Sequence, residues 1–318
     1  MGRPVFKTGE TRSACLVGST PMPFRHAKPM LNVISNVMSN VNESLLLHSA
    51  FYRFVKLTEP EAVARLVQQM AAGLQGSIVL ANEGINGVVA GAPGALQAFE
   101  AALCSGQFAG GAFKGMAFKH SACSTAPFGR LKVSVKPEIV TLALPGAAGP
   151  TAPDETDASH LSPPAWREML ARGGAVILDN RNHFEFRLGH FKGATDPQVH
   201  NFRDFVAYVQ AKAPAWRETE VPVAMYCTGG IRCDKTAPWL RSLGLRVWQL
   251  QGGVLNYFAQ TQDAAQDWSG ECFVFDNRVA LDTRLQETTT VAEQVFDDQH
   301  PDEAWRLKRA KTLDESGV

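Results

Sequence analysis

At 318 residues the chain is long enough for about two domains. Its 31 lysines and arginines balance 31 aspartates and glutamates, and a formal net charge of zero excludes a wholly basic, nucleic-acid-coating protein. With 45% hydrophobic residues it is globular; no apolar run is long enough for a membrane span, and six scattered cysteines point to a reducing, cytoplasmic setting.

Residues 1–47 hold 5 basic and 2 acidic side chains without apolar periodicity, and are expected to form a poorly ordered extension. From there the pattern sharpens. Residues 50–57 read as a strand and 58–74 as a helix, with Thr58 as N-cap and Pro60 in its first turn. Residues 76–91 read as two strands broken by polar and glycine residues, 92–103 as a second helix, and 128–144 as the closing β segment. That order, β-α-β-β-α-β, predicts a ferredoxin-like (split βαβ) α+β domain over 48–145. A Pro- and Gly-rich linker over 146–160 follows.

Beyond the linker, helical patterns at 162–173, 202–212, 228–244 and 254–261 alternate with short apolar strands at 175–181, 221–227 and 246–253. Such alternation predicts an α/β domain with a parallel sheet covered on both faces, here over 161–262, with a C-terminal extension over 263–318.

The chemistry concentrates in Cys227-Thr228-Gly229-Gly230-Ile231-Arg232-Cys233, where an apolar strand runs out into a helix. Parallel α/β sheets place ligands at that point. Two glycines let the backbone curl so that several N–H groups converge on one sulfur, while the helix start and Arg232 add positive charge. The combination favours an anionic, nucleophilic Cys227 and would equally cradle the outer sulfur of a persulfide. Protein tyrosine phosphatases use Cys-x5-Arg, a wider ring; Cys-x4-Arg is one residue tighter. Cys233 suits two roles, a resolving thiol for Cys227 or a small residue packed between helix and sheet.

The tighter loop resembles that of the rhodanese family. Asp179-Asn180-Arg181, Gly189-His190-Phe191-Lys192-Gly193-Ala194 and Leu250-Gln251-Gly252-Gly253-Val254 stand where that family has its D-x-R, G-H-x-x-G-A and G-G markers. Most of those glycines are expected to be turn formers, and Asp179 and Arg181 to brace the loop.

A narrower resemblance joins both halves. Asn82-Glu83-Gly84-Ile85-Asn86-Gly87, then Tyr226 with the Cys227 loop, then Phe273-Val274-Phe275-Asp276 resemble the rhodanese-like tRNA uridine hydroxylases over about residues 48–282. Membership would imply oxygen-dependent 5-hydroxylation of the wobble uridine in tRNA, with Cys227, as a persulfide, at the position of the family's active cysteine. It would also imply tRNA, through its anticodon region, as partner, molecular oxygen as co-substrate and an unnamed reductant, with a sulfur donor supplying the persulfide. No cofactor or metal motif is evident. Cys272 is the last cysteine and His300 the one histidine of the tail, so the chain resembles a shorter branch without the family's cysteine-rich C-terminal segment.

On this reading Arg53, Lys56, Lys114, Lys119, Arg130, Lys132 and Lys136 are candidates to neutralise phosphates, with Phe113, Phe118 and Phe128 candidates to stack on unpaired bases. The polar turn 82–86 is expected to face the catalytic domain. The alternative is a sulfurtransferase passing sulfane sulfur from a Cys227 persulfide to an acceptor. A plain sulfurtransferase has no need of the basic first domain.

Overall fold

The computed structural model describes residues 46–124, 126–147, 149 and 159–315. The expected N-terminal extension, apart from its last two residues, and most of the expected linker lie outside the described residues.

The first domain runs β1 (Leu46–Phe54), α1 (Pro60–Met70), β2 (Gln75–Ala81), β3 (Gly84–Gly91), α2 (Pro93–Leu103), β4 (Phe118–Cys123) and β5 (Leu131–Val135). Its sheet has the order β4-β1-β3-β2-β5. The first four strands are antiparallel neighbours, as a split βαβ arrangement requires, and β5 adds to the far edge parallel to β2. Period-2 alternation sends Ile78 and Leu80 of β2 to one face, where they pack with Val67, Leu96, Phe99 and Phe113. The opposite face presents Tyr52, Phe54 and Ala81 and meets Ile139 and Ile231.

Two sequence expectations need correction here. The closing strand of the split βαβ unit is β4, not the segment at 128–144. β4, FKHSAC, is an edge strand with polar residues on both faces, so it carries no apolar alternation to announce it. The cap of α1 is Glu59 rather than Thr58, without a side-chain capping bond. The polar turn behaves as expected. Asn82 and Glu83 form the two-residue β2–β3 hairpin, and the Glu83 carboxylate pairs with the ammonium of Lys235 in the second domain.

The second domain contributes β6 (His160–Leu161), α3 (Pro163–Arg172), β7 (Val176–Asp179), α4 (His183–Leu188), β8 (Gly189–Phe191), α5 (Phe205–Glu218), β9 (Val223–Tyr226), α6 (Ile231–Ser242), β10 (Val247–Leu250) and α7 (Gly253–Gln260). Its parallel sheet has the order β6-β10-β9-β7. All four residues of β9 are buried; Ala224 and Tyr226 face a cluster with Trp166 and Tyr257, while Val223 and Met225 face Phe205, Leu240 and Cys233. Burial on both faces explains why β9 reads as a continuous apolar run.

Residues 268–315 supply β11 (Trp268–Gly270), β12 (Cys272–Phe273), β13 (Ala280–Leu281), α8 (Ala292–Val295) and α9 (Pro301–Glu315). β11 pairs with β8, and Phe273 and Val295 pack on Phe184 of α4. This segment also reaches the first domain: the Arg278 guanidinium donates to the Ser121 hydroxyl at 2.9 Å. No helix among the described residues is long and apolar enough to cross a membrane.

Candidate active site

Cys227 directly follows β9 and is fully buried, and its sulfur faces the turn that leads into α6. The Gly230 N–H donates to Sγ at 3.1 Å. Burial alone pushes the thiol up; the Cys233 S–H, the Arg232 charge and the backbone N–H groups of Cys233 and Arg232 together outweigh that and bring it from 9.0 to about 6. Cys233 is itself buried and its thiol is pushed well up, first by burial and then by its neighbour, so it stays protonated and donates to Cys227. A thiol whose pKa is lowered is charged above that value and neutral below it. Alkylation of Cys227 by iodoacetamide is therefore expected to rise through a midpoint near pH 6 and to be flat by pH 8, read on the Cys227 peptide by mass spectrometry. A midpoint between 8 and 9 would contradict the cradle.

Arg232 does not hold an open anion fork. Both of its terminal nitrogens donate to Glu185 at 2.7 Å, a bidentate buried pair, and one lies 3.4 Å from the Thr228 hydroxyl. Glu185 is fully buried, and its carboxylate also accepts from the Asn182 N–H at 3.0 Å at the start of α4. Burial pushes its carboxyl up, but the Arg232 guanidinium wins and holds it below the usual range. Glu185 is the site residue that sequence reading missed. It lies 42 positions before Cys227 in an unremarked helix, and only the fold brings it to Arg232.

The glycine turn at 252–253 closes the loop from the other side. A Cβ on Gly253 would come within 2.5 Å of the Cys227 carbonyl oxygen and 2.6 Å of that of Thr228, and its φ of +72° disfavours a side chain. The Val254 N–H donates to that Cys227 carbonyl at 2.9 Å. Asp179 and Arg181 are fully enclosed and pair with each other, Nη2 to Oδ2 at 2.6 Å. Arg181 also donates to the Gly189 carbonyl at 2.7 Å, tying the end of β7 to β8.

The first domain touches the site directly. The Tyr52 hydroxyl donates to Asp234 of α6 at 2.8 Å and stands 2.7 Å from where a Gly230 Cβ would be. Ile231 packs into the Phe54–Ala81–Ile139 cluster. Lys119, expected among the phosphate ligands, is placed otherwise: its ammonium donates to the carbonyls of Gly229 and, at 2.9 Å, Gly252. Alternation along β4 explains it. Phe118 faces Phe51 and the core, so Lys119 faces the other way, onto the catalytic loop.

The remaining basic candidates do not converge with it. Lys56, Lys114, Arg130, Lys132 and Lys136 are exposed and Arg53 is half-buried. Arg130 and Lys132 belong to β5 and its approach, at the opposite edge of the sheet from β4. Of the rings proposed for base stacking, Phe113 is fully buried in the core, Phe118 packs on Phe51, and Phe128 stacks on His48. An aromatic that does reach solvent is Phe275, 56% exposed, with its ring centroid 5.9 Å from the Arg232 guanidinium carbon. Among the described residues no group of three or more His, Cys, Asp or Glu is placed to hold a metal ion.

Comparison with known proteins matches residues 47–139 to the UPF0176 acylphosphatase like domain and residues 162–260 to the rhodanese-like domain. The chain is similar to the tRNA uridine(34) hydroxylase of Bradyrhizobium diazoefficiens, 40% identical over 75% of this chain and 92% of that one. The protein of the same name from Nitrobacter winogradskyi is 38% identical over 81% and 100%. That from Synechococcus elongatus is 41% identical over 74% and 85%.

Proposed function

The chain belongs to the tRNA uridine(34) hydroxylase family, and on that premise we propose that it hydroxylates the wobble uridine of tRNA at C5, with Cys227 as the reacting group. The observation that carries the role of Cys227 is its buried sulfur, which accepts the Gly230 N–H at 3.1 Å and whose thiol is brought down to about 6 beside Cys233 and Arg232. Uracil is electrophilic at C6. Addition of a sulfur nucleophile there, a thiolate or the outer sulfur of a persulfide, makes C5 the nucleophilic carbon of an enolate, and that carbon takes up molecular oxygen. An external reductant supplies two electrons and two protons, which release the second oxygen atom as water. Loss of the C5 proton and of the sulfur from C6 then restores the double bond and the free Cys227 anion.

Arg232 and Cys233 keep the departing sulfur anionic, and Thr228 and Glu185 fix the Arg232 fork. Phe275, exposed beside Arg232, offers a ring on which the extruded base stacks. The exposed Lys56, Lys114, Arg130 and Lys132 neutralise phosphates of the bound RNA. The partners on this reading are the anticodon region of tRNA and a sulfur donor, protein or small molecule, and the setting is the cytoplasm.

The test is mass spectrometry of tRNA nucleosides from cells lacking the gene and any redundant pathway. Loss of 5-hydroxyuridine and its derivatives, restored by the wild-type gene, is the expected outcome. Unchanged nucleosides would sink the reading and leave sulfur transfer from Cys227 as the activity of the site.

A further inference from the structure

A half-buried lysine, its ammonium bonded to backbone carbonyls, sits where the sequence suggests a surface side chain. Lys119 comes from β4 of the first domain, yet its two hydrogen bonds go to loops of the second, the Gly229 carbonyl in the Cys227 loop and the Gly252 carbonyl in the glycine turn. In a trans peptide the C=O and N–H of one amide point in opposite directions. The amide that joins Gly229 to Gly230 is therefore gripped at both ends: Lys119 holds its oxygen, and its N–H donates to Cys227 Sγ at 3.1 Å. A cation on the carbonyl oxygen also polarises the amide and makes its N–H the stronger donor. The neighbouring carbonyls of Cys227, Thr228 and Gly230 are held by the Val254, Leu255 and Asp234 N–H groups, and Lys119 adds the grip on the Gly229 oxygen, where two adjacent glycines would otherwise let that peptide turn at little steric cost.

We propose that Lys119 is a positioning residue for the sulfur chemistry: it orients and polarises the Gly229–Gly230 amide and so sets how well the Cys227 site holds an anionic sulfur, which makes the first domain part of that site. The inference rests on Cys227 being the reacting group. The groups that face the sulfur are Arg232 and Cys233 from α6, Lys119 from β4 and Tyr52 from β1. Behind them stand Glu185 on Arg232 and Asp234 on Tyr52. The lysine's own balance agrees: burial pushes its ammonium down, and the charges of Cys227 and Asp234 hold it up. The ammonium also lies 5.7 Å from the Tyr52 ring centroid, so it is enclosed by an aromatic face as well as by carbonyls. In a domain otherwise open to an RNA-binding role, this side chain is directed inward.

The full-length wild type, Lys119→Met and Lys119→Gln are compared by the rate of iodoacetamide alkylation of the Cys227 peptide between pH 4.5 and 9. Methionine keeps an unbranched side chain without charge or donor; glutamine keeps an N–H for a carbonyl but not the charge. Loss of a close opposite charge and of amide orientation is expected to raise the Cys227 midpoint by about one unit in Lys119→Met. At pH 6 that is a roughly fivefold slower alkylation, with Lys119→Gln falling between it and wild type. Folded variants whose midpoint stays at the wild-type value, whatever their melting temperature, would overturn the proposal, since a purely structural lysine moves stability alone. Should Lys119→Met fail to fold, the midpoint of Lys119→Gln decides. This readout needs no tRNA. A shifted midpoint in a protein that forms no hydroxylated uridine would leave the role of Lys119 standing and remove the hydroxylase reading, and the reverse result would separate them the other way.

Discussion

Cys227→Ser is expected to abolish 5-hydroxyuridine formation, by at least about 10³-fold in rate, while leaving the melting temperature close to that of wild type. The sulfur is fully buried and makes its contacts inside the loop, so an oxygen of nearly the same shape is tolerated by the packing. The chemistry is not. The cradle brings a thiol from 9.0 to about 6, but an alcohol is a far weaker acid, and a displacement of that size leaves serine protonated near pH 7. Serine also cannot carry a sulfane sulfur, so the variant removes the thiolate and the persulfide at once. The check is single-turnover hydroxylation of tRNA read by nucleoside mass spectrometry, with circular dichroism to confirm the fold. A folded serine variant retaining a tenth of the activity would move the reacting group elsewhere.

What the sequence disclosed about this site follows from how local each interaction is. The Cys227 loop is seven contiguous residues, and two glycines, an arginine and a strand-to-helix junction carry their meaning together. The Asp179–Arg181 pair is two positions apart, but that spacing does not show that Arg181 ties β7 to β8 through the Gly189 carbonyl, where a brace of the Cys227 loop is expected. Glu185 and Lys119 reach the loop from 42 and 108 positions before Cys227, on a short helix and an edge strand whose own patterns say nothing about the loop. A lysine between Phe118 and His120 looks like a solvated side chain until the sheet order places β4 against the second domain. The same order puts Lys119 and Lys132 at opposite edges of the sheet, so these two phosphate-binding candidates do not share one surface. Likewise the sequence of β4 does not announce a strand, because edge strands need no apolar face, whereas β9, buried on both sides, is a continuous apolar run.

Glu185→Gln is expected to be the most destabilising single change in the site, by about 3–5 kcal/mol, because it removes one partner of a buried ion pair and leaves the other. Arg232 keeps its charge and its enclosure, and the glutamine amide sets its NH2 against a guanidinium N–H donor over one of the two contacts that are now 2.7 Å. For a chain of this size that loss corresponds to a melting temperature lower by roughly 10 °C. Replacing both residues, as Glu185→Leu with Arg232→Met, is expected to cost less than the two single changes added together, since no uncompensated charge remains. Activity separates the partners: the double variant regains stability but not hydroxylation, because the Arg232 charge that favours the Cys227 anion is gone. The pH dependence has a definite sign. The Glu185 carboxyl is held below its unfolded value, so its contribution is complete above the ordinary carboxylate range near 4.3 and fades as pH falls from there through the lowered value. Urea unfolding of wild type between pH 3 and 7 is thus expected to show a loss of stability on the acid side that Glu185→Leu/Arg232→Met lacks in part. Equal acid slopes in the two proteins would show that the pair is not held as an ion pair, and with it would go the argument that Arg232 is anchored for Cys227 rather than for substrate.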